Sequence, residues 1–152
     1  MKPTPPGWPR VSVSAYYEDP GAAIDWLVRA FGFEVREKIT DDQGKIVHSE
    51  LTYGEGMFMI GGVGRADNPG ATWRSKMRSP RQVGGYTQSA CLFVDDADAH
   101  CARAREAGAK ILREPETSDY GDDYWSDRSY GALDPEGHLW WFMQRMRTGK
   151  GG

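Results

Sequence analysis

His48 and Glu50, in the string Gly44-Lys-Ile-Val-His48-Ser-Glu50-Leu, are the pair in this chain best suited to chemistry. Residues two apart on a strand share a face, so an imidazole and a carboxylate stand side by side there. Such a pair suits proton transfer, with the carboxylate orienting the ring, and equally suits a buried hydrogen-bonded contact to a ligand. As metal ligands the two are too few alone, and the other half of the chain offers only Cys91 as an obvious partner. Cys91 alternates with Ser89 and Phe93, and with no activating base beside it reads as a small lining residue rather than a nucleophile. Trp125, Trp141, Tyr16 and Phe93 are the candidates for stacking on a planar ligand. Asp127 and Arg128 suit either a structural ion pair, with each other or with Asp122 and Asp123, or the gripping of an anionic ligand. His138 follows a tight Asp134-Pro-Glu-Gly137 turn and reads as fixing it, while His100 reads as helix surface or packing.

The elements that position these groups come in two similar sets. Ser12 to Asp19 returns as Ser89 to Asp96, each followed by a helical stretch that runs into glycine, at Gly32 and Gly108. Glu55 to Ile60 likewise corresponds to Glu136 to Trp141. Asp19 is placed to cap a helix over 22–31 with Pro20 at its first position, and Asp95, Asp96 and Asp98 suit the positive end of a helix over 97–107. Alternating and β-branched runs predict strands at 11–17, 33–40, 45–53 and 56–61, then at 88–94, 110–113, 127–133 and 138–144. Each set is β-α-β-β-β, and a duplicated module builds its site at the seam between copies. The expected organisation is a proline-rich extended arm over 1–10, a first module over 11–61, a long basic linker over 62–86, a second module over 87–146 and a flexible tail over 147–152. The stretch 115–125, acidic and aromatic, is expected to cover the site.

Composition narrows the function classes. No run approaches the ~20 apolar residues of a membrane span, and a formal charge of -3 argues against a nucleic-acid surface. Two cysteines on predicted elements and no secretory leader point to a reduced, cytoplasmic setting. Aromatic residues make up 12% of the chain, including six tryptophans, which suits a ring-stacking pocket.

Tandem modules with this wording resemble the vicinal oxygen chelate superfamily, the glyoxalase, bleomycin-resistance and dioxygenase group, over residues 11–144. The phosphonate-associated glyoxalase-like branch is similar in three strings: the one holding His48 and Glu50, Trp125-Ser-Asp127-Arg128, and Asp134-Pro-Glu-Gly137-His138-Leu-Trp140. Ser126 stands where that branch's pattern has glycine. The resemblance implies an α+β fold in which two paired β-α-β-β-β modules form an open eight-stranded cup with helices outside, and it implies a homodimer. In the metal-dependent members each module supplies two ligands, and those positions fall by motif on Ser12 and Ile60 and on Ser89 and Trp141. Two hydroxyls, an alkyl group and an indole do not make a divalent metal site, so neither metal nor other cofactor is expected.

The resulting expectation is a protein that binds a small aromatic or peptide-like molecule in its cup, in resistance or sequestration. Tyr16, Phe93, Trp125 and Trp141 would stack, and His48, Glu50 and Arg128 would supply polarity. The alternative is a lyase or isomerase on a small carbonyl substrate with His48 and Glu50 as its catalytic residues, or a metal-dependent dioxygenase-like relative with a rearranged site. The residues leave both open, because fold membership does not fix function.

Overall fold

Asp19 opens the first helix of the structure, a computed structural model that describes residues 1–64 and 73–150. Its carboxylate accepts the Ala22 amide at 2.9 Å, and Pro20 occupies the first turn, where no amide donor is missed. Helix α1 (Pro20–Phe31) stops at Gly32, whose φ of 82° is a left-handed conformation that glycine adopts without strain. Its apolar stripe buries Ile24, Trp26, Leu27 and Phe31 against one face of a sheet. That sheet consists of β1 (Val13–Tyr17), β2 (Glu34–Thr40), β3 (Ile46–Tyr53) and β4 (Gly56–Gly62) in the order β1-β4-β3-β2. β1 runs parallel to β4 and the other pairings are antiparallel. The helix-facing side carries Ala15, Tyr17, Leu51, Phe58 and Ile60, with Phe33 set edge-on to Tyr53 and Phe58.

The second unit repeats the plan. Asp96 caps α3 (Ala97–Glu106) through the Ala99 amide at 2.9 Å, and α3 buries Ala97, Cys101 and Ala104. Its sheet orders β5 (Ser89–Phe93), β6 (Lys110–Asp119), β7 (Ser126–Leu133) and β8 (Leu139–Arg147) as β5-β8-β7-β6, with β5 parallel to β8. Tyr130 stacks on Phe142 at 5.0 Å, and His100 packs on the same Phe142 ring while its Nδ1 meets the Tyr130 hydroxyl, so this histidine is helix packing. Along the chain between the strands of the two sheets, the described residues include a 3₁₀ turn at Arg74–Lys76 and the short helix α2 (Pro80–Val83). Among the described residues two four-stranded sheets and three helices make an α+β fold with no closed barrel, and the two compact units are Met1–Gln82 and Val83–Gly152. Residues 65–72 of the expected linker and the last two of the expected tail lie outside the described residues. No helix among the described residues is long and apolar enough to cross a membrane.

Two strands run further than the sequence patterns predict. β6 does not end at Arg113 but continues through Pro115 to Asp119, so much of the stretch 115–125 is strand and hairpin turn rather than a covering loop. Pro115 is accommodated because β6 is an edge strand whose register breaks between Arg113 and Glu116, where no ladder donor is needed. β8 extends beyond Gln144 to Arg147, whose guanidinium donates to Asp119 and to the Gly121 and Tyr124 carbonyls and ties down the β6–β7 turn.

The turn into β8 is held by one carboxylate. Asp134, 5% exposed, accepts the Glu136 and His138 amides on Oδ1 at 3.0 Å each and the buried Trp140 indole N–H on Oδ2 at 3.1 Å. Gly137 completes the turn at φ 91°. His138 thus serves the turn through its backbone. Asp134→Ala removes all three acceptor contacts, and the expected outcome in urea unfolding is a loss of about 3 kcal/mol, because a buried donor without its acceptor costs more than the bond itself contributes.

Candidate functional site

Since α3 covers one face of its sheet, alternation along the strands decides what the other face offers. The register puts Ser89, Cys91 and Phe93 of β5 beside Leu139, Trp141, Met143 and Arg145 of β8, and these beside Asp127, Ser129 and Gly131 of β7. Trp141 lies flat because it is paired with Gly131, where a Cβ would stand 2.8 Å from the indole. Phe93 and Trp125 remain 54% and 42% exposed. Between them sits Arg145, its guanidinium carbon 5.3 Å from the Phe93 centroid and 5.4 Å from the Trp125 centroid. Arg145 Nε donates to Asp127 Oδ1 at 2.5 Å. Tyr120 and Tyr124 pack around Trp125, with ring centroids 5.8 and 6.2 Å away. Phe93, Trp125 and Trp141 are therefore brought to one platform.

Arg128 is not brought to it. As the strand neighbour of Asp127 it points to the opposite, helix-facing side, where Nε and Nη2 form a bidentate pair with Asp98 of α3 at 2.5 and 2.7 Å. Adjacent strand residues face opposite ways, so Asp127 and Arg128 do not pair with each other, and Arg128 anchors α3 through Asp98. The guanidinium hydrogen bonds hold the Asp98 carboxyl below its ordinary range and raise Arg128 in turn. Cys91 is exposed on the platform side, while Cys101 is buried in α3 and desolvation pushes its thiol up.

In the first unit the open face carries Ser14 and Tyr16 of β1, Met57, Met59 and Gly61 of β4, and His48, Glu50 and Thr52 of β3. Tyr16 lies against Gly61 as Trp141 does against Gly131, with a Cβ there falling 3.4 Å from two ring atoms. His48 Nε2 stands 2.9 Å from Glu50 Oε1, and Glu50, its side chain 4% exposed, also meets Arg36 Nε at 3.4 Å. Arg36 is the extra residue of a bulge in β2, donates to the Gly7 carbonyl at 2.6 Å and sits 5.2 Å from the Trp8 centroid, so it ties the proline-rich arm to Glu50. Glu37, registered with Glu50, brings a third donor, and the ligand atoms of Glu37, His48 and Glu50 lie within 4.8 Å of one another. Arg36 and Glu37 escaped the sequence reading because the bulge, which brings both to this pair, leaves no trace in the polarity pattern. Arg145 escaped it because β8 was expected to stop at Gln144. The alternation of Leu139, Trp141 and Met143 already pointed to it. A groove of about 450 Å³ between the arm and the β3–β4 turn, lined by Pro5, Trp8, Thr52 and Met57 among others, has Glu55 as its one titratable group.

The donor set at the positions of the metal-dependent relatives does not fit a divalent metal. Ile60, placed there by counting from Gly56, is buried on the helix side, with its backbone bonded to Ser49 Oγ at 2.8 and 3.1 Å. The residue that pairs with β1 as Trp141 pairs with β5 is Met59, opposite Ser14 as Trp141 is opposite Cys91. The count slips because the two turns differ: the positive φ falls on Gly137, four residues before Trp141, but on Gly54, five before Met59. Ser12 with Met59, and Ser89 with Trp141, supply no imidazole or carboxylate.

Comparison with known proteins supports the family and the fold. The profile of the Glyoxalase/Bleomycin resistance protein/Dioxygenase superfamily matches residues 11–142. The uncharacterized protein Rv0887c of Mycobacterium tuberculosis is 30% identical over 139 residues, covering 91% of this chain and 76% of that protein. The crystal structure of TioX from Micromonospora sp. ML1 superposes with a TM-score of 0.66 at 30% identity, over 89% of this chain and 98% of TioX. TnmS3, an antibiotic binding protein from Streptomyces sp. CB03234, shares the fold with a TM-score of 0.61 at 20% identity, over 90% and 96% of the two chains.

The Asp98–Arg128 anchor predicts a pH signature. A carboxyl whose folded-state pKa is lowered contributes stability that is present above its unfolded value, near about 4, and lost as pH falls through the folded value. Asp98→Asn should therefore lower the urea midpoint slightly at pH 7, the pair being exposed, and the difference from wild type should shrink as pH falls through the folded-state value.

Proposed function

The chain belongs to the Glyoxalase/Bleomycin resistance protein/Dioxygenase superfamily, and from that premise we propose that it binds a small planar organic molecule, aromatic or peptide-like, without a metal, in resistance or sequestration. The observation that carries this reading is the pair of exposed rings, Phe93 and Trp125, beside Arg145, with Trp141 further along the same sheet face. Large rings left open to water on a supported surface forgo burial worth about 25 cal/mol per Å², which a stacked ligand would recover. That TnmS3 is an antibiotic binding protein supports the fold as a host for such a ligand, and at its low identity it lends no contact residue. Tyr16, His48 and Glu50 are the contacts this reading assigns to the first unit, and Arg128 holds α3 instead. A cytoplasmic homodimer belongs to the same reading, in keeping with two free cysteines.

One observation favours a second reading. The 2.9 Å contact of His48 with Glu50, with Glu37 nearby, suits proton transfer by a lyase or isomerase, or a rearranged metal site. His48→Ala separates the two: the binder loses at most a few-fold in affinity, whereas the enzyme loses turnover with its fold intact.

The leading reading is tested by titrating the protein with a panel of planar aromatics, monitored by calorimetry. Trp125→Ala and Phe93→Ala should each weaken binding about 10-fold, as expected for a lost stacking contact, with little change in Tm. Ligand affinity indifferent to both substitutions would overturn the platform as the site.

A further inference from the structure

Each open sheet face holds one arginine between aromatic rings and a carboxylate, but the two are used differently. Arg36 lies near Trp8 with Nε toward Glu50, and its Nη1 is already engaged by the Gly7 carbonyl at 2.6 Å and the Met57 sulfur at 4.0 Å. Arg145 has Nε on Asp127 and its plane flanked by Phe93 and Trp125, while Nη1 and Nη2 donate to no acceptor among the described residues. The neighbouring cation on this face, Arg113 of β6, is neutralised by Glu116 at 3.0 Å and reaches Ser118 at 3.4 Å. A guanidinium fixed at one edge by a carboxylate, with rings on either side, loses little conformational freedom when its remaining edge is used. That edge matches a planar oxyanion, which two parallel N–H groups can grip. A cationic ligand would instead have to expel Arg145 from between two rings and take over Asp127.

Resting on the ligand-binding reading above, we infer that the platform selects planar aromatic anions, an aromatic carboxylate or an equivalent oxyanion, with the ring on Phe93 or Trp125 and the oxygens on the Arg145 Nη groups. Asp127 is then a positioning residue that aims Arg145. Arginine rather than lysine is required, since an ammonium offers a point charge where the fork offers two parallel donors.

The test compares three probes sharing one ring system, 2-naphthoate, 2-methylnaphthalene and 2-naphthylmethylammonium, by calorimetry and ligand-observed NMR on the full chain. The wild type is expected to bind 2-naphthoate at least 10-fold more tightly than either other probe. Arg145→Met, which keeps the stem between the rings, should reduce naphthoate affinity to that of methylnaphthalene, and Arg145→Lys should restore only part of it. Arg145→Lys also guards against a folding defect in the methionine variant, with Tm measured for both. Equal binding of all three probes, or tighter binding of the ammonium, would overturn the inference and leave the aromatic platform standing. Binding of none up to millimolar concentration would overturn the platform reading together with it.

Discussion

Side chains on a strand alternate between two faces, and in each unit a single long helix covers only one of them. That constraint sorts the whole molecule. In the first unit Tyr17, Leu51 and Ile60 turn toward α1 and form core, while the residues between them, Tyr16, Glu50 and Met59, are left for other work. In the second unit Trp140 and Trp141 are adjacent in sequence, yet one is buried with its indole N–H on Asp134 and the other lies on the open face over Gly131. Asp127 and Arg128 divide in the same way, one aiming Arg145 and the other holding α3.

Much of this was legible in the residues. Asp19 and Asp96 cap their helices as their positions promise, the Asp134–Gly137 turn is where the pattern puts it, and the repeated β-α-β-β-β order is the order found. These are local rules, enforced by capping and turn chemistry over a few residues. The His48–Glu50 contact was legible for the same reason, since period two alone brings them together. What escaped depends on pairing between strands. The bulge that delivers Arg36 to Glu50, the register break that lets β6 pass through Pro115, and the slip between Met59 and Ile60 are each set by a partner strand distant in sequence. Period-two reasoning cannot detect an inserted residue, because one extra position inverts every face assignment after it.

The two arginines show how the same local grouping serves different ends. Arg36 commits Nε to Glu50 and Nη1 to the Gly7 carbonyl, fastening the arm beside β3, which leaves Glu50 buried against charged and hydrogen-bonding partners. Arg145 is fastened by one nitrogen only. The difference comes from the backbone supplied nearby, the carbonyl of Gly7 in one case and none among the described residues in the other.

Gly131 carries a consequence of another kind. It never needs to touch a ligand, yet its missing side chain sets the height at which the Trp141 ring rests above the sheet. A methyl group there would act as a shim, lifting or tilting the indole and narrowing the clearance left for whatever lies on top. Tyr16 over Gly61 repeats the arrangement with a looser fit. On the proposed reading, ligand thickness would be gauged from beneath, by glycines in the sheet itself, so that discrimination among flat molecules could drift while every contact residue stays the same.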